Sequence, residues 1–193
     1  GRVELPLHAL SSNAPTREGE AIGHFTRRKL RKLSTWNEWN GAERLQLDRM
    51  EALGMFRKPV LPPKGSILLR LHWQYKIKRD GTRRARSCCD GSPRAAPELH
   101  ALASTYSSCV SQPIQRLFFA LAARLSYRVY GGDATDAFAH LPPPEVPTFV
   151  LVDEAYRKWY NLKYGVTIPH GHALPVLHAL QGHPKSGRLW EEM

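Results

Sequence analysis

The stretch ILLRLHWQYKIKRDGTRRARSCC, residues 67 to 89, decides how the rest of the chain is read. Residues 67 to 78 are rich in β-branched, aromatic and aliphatic side chains and run into Asp80-Gly81, a two-residue hairpin signal. The segment RRARSCC then supplies a return strand. In a regular hairpin Lys76, Lys78, Arg84 and Arg86 fall in one alternating set. Two uses fit such a set: phosphate recognition, or a solvated edge whose charges protect it from pairing with another chain.

The hairpin carries much of the chain's charge. Lys and Arg number 28 against 17 Asp and Glu, and the excess sits in two runs. One is FTRRKLRKL, residues 25 to 33. The other spans Lys76 to Arg94 and contains Lys76, Lys78, Arg79, Arg83, Arg84, Arg86 and Arg94 against Asp80 and Asp90. Clustered charge of this kind predicts a polyanionic partner, nucleic acid or nucleotide, more readily than it predicts mere solubility.

With 42% apolar residues, 193 positions suffice for one sizeable core. No run approaches about 18 apolar residues, and the opening stretch lacks the charged, apolar, small-residue order of a secretory signal. An intracellular, soluble protein with no membrane partner is expected. Cys88 and Cys89 are adjacent and Cys109 stands alone, so no paired-cysteine metal motif exists and reduced thiols are expected.

Residues 1 to 34 mix Pro, Ser, Asn and charge without a sustained period. They read as a tail or linker, with at most one short basic helix and no core. Residues 35 to 193 read as the folded domain. Ser34 or Thr35 is placed to cap a helix whose Trp36, Trp39, Leu45, Leu47, Met50 and Leu53 form an apolar stripe stopped by Gly54. PIQRLFFALAARLS, residues 113 to 126, predicts a buried helix through Ile114, Leu117, Phe118, Leu121 and Leu125, followed by a short strand YRVY. Later, TFVLVDEAYRKWYNLKYG predicts a strand and a helix. Asp153 reads as that helix's cap, and Tyr156, Trp159, Tyr160 and Tyr164 read as packing.

Between these elements lies GGDATDAFAH, residues 131 to 140, which places Asp133 and Asp136 around a glycine-rich entry to a turn. Locally it reads as a turn, because Gly and Asp are the commonest turn formers and Asp tolerates the left-handed region. Its neighbours add a second reading. In order, the chain contains Trp39-x-x-Ala-Glu ending in EALGMF, the hairpin HWQYKIKRDG with RRAR, the helix RLFFALAA, the motif DATDAFAHLPPP, and LHALQGHPKSGRLW. From about Trp36 onward this set resembles the reverse transcriptases of copia-type retrotransposons.

The resemblance implies an α+β fold of the right-hand polymerase type, with fingers and a partial palm behind a mostly irregular basic extension. It implies RNA-directed DNA synthesis, with Asp133 as catalytic carboxylate and ligand of Mg²⁺. In-line attack on an α-phosphate requires hard oxygen ligands for two metal ions roughly 3.5 to 4 Å apart. The same resemblance gives Lys78 and Arg86 a grip on the incoming triphosphate, Asp136 and Ala137 the turn that cradles it, and Phe138 the role of a gate against a ribose 2′ hydroxyl. Gln181 and Gly182 are assigned to the wall beside the nascent base pair.

The implied partners are an RNA template, a DNA primer and deoxynucleoside triphosphates, with integrase and RNase H as polyprotein neighbours. The implied location is cytoplasmic, in a virus-like particle, or nuclear. The family's second metal-binding element, an aromatic-x-Asp-Asp turn, follows its Gln-Gly segment, and this sequence contains no Asp-Asp. The expectation is therefore a polymerase portion inactive by itself, and the alternative is a non-catalytic nucleic-acid-binding remnant. Two further motifs carry little. His170, His172, His178 and His183 lack the cysteines or spaced carboxylates of a zinc site, and GHPKSG lacks the residue order of a phosphate loop.

Overall fold

A computed structural model describes residues 25–101, 109–132 and 134–193. The hairpin forms as its alternation requires: β1 (Ile67–Ile77) pairs antiparallel with β2 (Arg83–Cys89), Ile77 opposite Arg83 and Leu71 opposite Cys89. Leu69, Trp73, Tyr75 and Ala85 point inward and are buried, while Arg70, His72, Gln74, Lys76 and Arg84 point outward. The turn is longer than Asp80-Gly81 suggests. The amide of Gly81 donates to the carbonyl of Lys78, that of Lys78 donates to Thr82, and Gly81 has φ +79°. This is a three-residue loop closed by a left-handed glycine, and Asp80 locks it by accepting from the amide of Thr82 at 2.9 Å.

The helix α2 (Trp36–Ala52) packs against β2 and ends as its sequence predicts. Gly54, at φ +65°, donates to Glu51, and Met55 donates to Met50, which satisfies two carbonyls that the helix end would leave unpaired. Trp39, Leu47 and Met50 are buried, but Leu45 is exposed, a correction to the predicted stripe. At its other end α2 departs again, since Thr35 makes no side-chain cap.

The hairpin is half of a four-stranded mixed sheet ordered β2-β1-β3-β4. β3 (Thr148–Leu151) lies parallel to β1, with Leu69 opposite Val150, and β4 (Ala173–Pro175) lies antiparallel to β3. The helix α5 (Glu154–Tyr164) follows β3 directly. Asp153 caps it as expected, accepting from the amide of Tyr156 at 2.8 Å, and also accepts from Trp73 Nε1 at 2.6 Å, tying the helix start to the sheet. Burial of this carboxyl raises its pKa despite both bonds. Tyr156 and Trp159 are buried in the core while Tyr164 is exposed, so the aromatic stripe serves mainly as packing.

The fold is thus α+β, and three expectations need correcting. First, the basic run before residue 34 is not free of core. Thr26 caps α1 (Arg27–Leu30), Leu30 is fully buried, and Phe25 meets the ring of Trp39. A four-residue helix is too short to reveal itself by periodicity. Second, α4 (Gln112–Arg124) forms but is not buried. Ile114, Leu117, Phe118, Leu121 and Leu125 are all about half exposed because no element among the described residues packs extensively on that face.

Third, YRVY is not a strand. Ser126 takes the left-handed region at φ 56°, Tyr127 donates back to Ala122, and the exposed residues that follow join no sheet. Two short helices complete the elements, α3 (Pro97–Ala101) and α6 (Ser186–Glu191). No helix among the described residues is long and apolar enough to cross a membrane.

Candidate functional site

A cleft of about 590 Å³ opens between α2, the edge strand β2, the turn after Gly132, and the loop at Leu180-Gln181. Each wall follows from local structure. On α2 the residues Ala42, Leu45, Gln46, Arg49 and Leu53 lie at helical spacing along one face, which explains the exposure of Leu45: the helix has two useful faces, and the apolar pattern merges them. On β2, Arg84 and Arg86 fall on the outward set.

Six of the positions singled out from sequence meet in this cleft: Lys78, Arg86, Asp136, Ala137, Phe138 and Gln181. They come from three separated segments. Gly182, the seventh, does not line the cleft but fixes the loop that does. At φ +91° it lies so close to β2 that an added Cβ would fall 2.1 Å from the carbonyl oxygen of Cys89. Beside it, the amide of Cys89 donates to the carbonyl of Gln181 at 2.9 Å. Asp133, the proposed catalytic carboxylate, lies outside the described residues.

Asp136 takes the left-handed backbone expected of a turn-forming Asp, with φ 53°, and leads into a 3₁₀ turn over Ala137–His140. Its carboxylate Oδ2 receives Arg49 Nε at 2.6 Å and Nη2 at 2.5 Å. Phe138 is partly buried and lines the cleft.

Among the described residues, the cleft's charged lining comprises Arg49, Lys78, Arg83, Arg84 and Arg86 against Asp136. Their roles differ. Arg83 is held by Glu38 at 3.3 Å and by the carbonyl of Gly81, and its guanidinium lies over Trp39. Lys78, Arg84 and Arg86 have no ion-pair partner among the described residues. Arg83 and Arg84 were read in the sequence as part of the basic hairpin, whereas Arg49 and the Leu45-Gln46 face were missed as site residues. The outward face of α2, at positions 42, 45, 46, 49 and 53, is the signal that could have found most of them.

The described residues, which leave out Asp133, do not by themselves assemble a magnesium pair. No three His, Cys, Asp or Glu side chains among them gather as a metal site, and the carboxylate of Asp136 is engaged by Arg49. The four histidines go separate ways: His172 reaches the carbonyl of His170, His178 that of Leu141, and His183 Nδ1 accepts from the amide of Lys185. Burial, reinforced by Lys185 and His100, lowers the pKa of His183 to about 4, so it is neutral at physiological pH. Cys89 is also inert, its thiol pushed up to about 12 chiefly by burial.

No family model, curated protein or solved structure matches this chain.

Proposed function

We propose that this chain is the fingers and first palm portion of a copia-type reverse transcriptase, and that its cleft receives a deoxynucleoside triphosphate beside an RNA template and DNA primer. The observation that supports the reading is convergence. Lys78, Arg86, Asp136 to Phe138 and Gln181, which sequence resemblance singles out from distant segments, line one cleft whose cations outnumber its carboxylates. Such a lining concentrates polyanions, and the side chains of Lys78 and Arg86, without an ion-pair partner among the described residues, are suited to charge-assisted bonds with phosphate oxygens. In this reading Asp133 would hold Mg²⁺, and Phe138 in the cleft lining excludes the 2′ hydroxyl.

A second reading is favoured by the outward row on the hairpin, where Arg70, Lys76 and Arg84 are exposed. In it the chain is a non-catalytic nucleic-acid-binding module. The two readings separate on sugar discrimination. Calorimetric titration of the chain with dCTP and with CTP should show the deoxynucleotide preferred, and Phe138→Ala should erase the difference by improving CTP binding. Lys78→Ala with Arg86→Ala should weaken dCTP by a factor on the order of 10² to 10⁴, each charged contact contributing about 1.5–3 kcal/mol. Equal affinity for both nucleotides, unchanged by Phe138→Ala, would leave only the module.

A further inference from the structure

We propose that Arg49 is a further phosphate-binding residue of the cleft, held in reserve by Asp136, so that an incoming polyphosphate displaces the Asp136 carboxylate from its guanidinium. This rests on the reading of the cleft as a triphosphate site. It assigns a role to a residue to which the resemblance gave none.

The geometry of the pair carries the inference. Arg49 Nε and Nη2 both converge on Oδ2 of Asp136, at 2.6 and 2.5 Å, while Oδ1 makes no hydrogen bond among the described residues. A guanidinium is a planar fork that matches two oxygens in parallel. One carboxylate oxygen uses that fork incompletely, whereas a phosphate presents several oxygens and more charge. The pair is also water-screened: the side chains of Arg49 and Asp136 are 49% and 31% exposed. Exposed pairs are weak, so exchange has a low cost.

The surroundings leave Arg49 few other uses. Asp48 and Glu51, the nearest acids on α2, are engaged by Lys163 of α5, so Asp136 is the carboxylate that Arg49 meets among the described residues. Arg49 lies in the last turn of α2, where the helix dipole favours a cation. It shares the cleft with Lys78 and Arg86, which have no ion-pair partner among the described residues, and all three reach it from different elements. When Arg49 lets go of Asp136, the turn bearing Ala137 and Phe138 loses its tie to α2.

The test is titration of the 193-residue chain with inorganic tripolyphosphate. Asp136→Asn removes the competitor and should tighten binding about two- to fivefold, the range expected from losing one exposed ion pair. Arg49→Ala should weaken binding and make a second Asp136→Asn change silent. Arg49→Lys, which keeps charge and fold but loses the fork, should fall between the two.

If Asp136→Asn leaves affinity unchanged or lowers it while Lys78→Ala with Arg86→Ala still weakens binding, the reserve role of Arg49 is overturned and the triphosphate reading stands. If binding ignores Lys78 and Arg86 as well, the triphosphate reading itself is overturned. Thermal melts of each variant separate loss of binding from loss of fold.

Discussion

Arg27 and Lys78 belong to similarly basic runs of sequence, yet they end in opposite situations. Arg27 donates through Nε to Glu43 at 2.9 Å and through Nη1 to Glu154 at 2.9 Å, and Arg31 reaches Glu154 as well. Glu43 itself is buried and also accepts from the hydroxyl of Tyr75 at 2.5 Å. Lys78, Arg84 and Arg86 form no ion pair among the described residues, although Lys78 lies near enough to Asp80 to add to the hydrogen bond from Thr82 in lowering its pKa. In the first run Arg27 and Arg31 are committed to folding, while Arg28, Lys29 and Lys32 beside them are exposed. In the second Arg83 is committed to Glu38, and Lys78, Arg84 and Arg86 are left to act on something outside the chain. Charge density in a sequence therefore marks a binding surface only after the acids that the fold delivers have been subtracted. Strand alternation makes the same selection within the second run, turning Arg83 inward against Trp39 and leaving Arg84 outward.

The largest break in this comparison should come from Glu43→Ala. It removes the acceptor for both Arg27 and Tyr75 in a buried setting, and loss of one partner from such a network costs about 3–5 kcal/mol. Chemical denaturation should show the midpoint falling sharply, whereas duplex binding at a temperature where the variant is still folded should be retained. If Glu43→Ala cost no more than an ordinary surface change, the first run would not be structural.

The converse experiment sharpens the contrast. Lys78→Ala with Arg86→Ala should change stability by no more than about 0.5 kcal/mol, as for surface positions. Affinity for DNA or RNA duplex should nevertheless fall, without regard to sequence. The slope of log affinity against log salt should shrink by about one for each phosphate that the variant no longer neutralises. Unaltered affinity and slope would mean that the hairpin's charges only protect the edge of β2.

Smaller effects are expected from pH. The hydroxyl of Tyr75 is held protonated well above its ordinary range, mainly by burial and then by its bond to Glu43. A raised folded pKa contributes stability below the unfolded value of about 10, and that stability declines as pH rises past it. Glu154 shifts the other way, lowered first by Lys158 and then by Arg27 and Arg31. Its contribution is present above its unfolded range and is lost as pH falls below about 4.5, but the group is exposed and the effect small. Denaturation midpoints should therefore drop beyond pH about 10 in the native chain, and less in Tyr75→Phe.

Much of this was legible in the sequence because it is local. The hairpin declared itself through alternation and Asp80-Gly81, the end of α2 through Gly54, and the start of α5 through Asp153. Asp136 kept the turn geometry that its residue type suggests. What stayed hidden depends on distant partners. The pattern in RLFFALAA specifies which face of a helix is apolar but not whether anything covers it. Leu45 fits an apolar stripe, yet it faces a cleft that exists only once β2 and the turn after Gly132 are in place. Nothing near Arg49 announces Asp136, and nothing near Arg27 announces Glu154.

The parallel pairing of β1 with β3 has a consequence for the order of assembly. The two strands meet only after about 70 intervening residues have been threaded between them, whereas only five residues, 78 to 82, separate β1 from β2. Closing the long excursion is the slow step and closing the hairpin the fast one. Pulse-labelled hydrogen exchange during refolding should find the ladder amides between Gln74 and Arg84 protected before Val150, and simultaneous protection would contradict this order. A hairpin that forms first presents Lys76 and Arg84 before the cleft has walls, so under the proposed reading capture of a nascent chain by nucleic acid would precede its binding of a nucleotide.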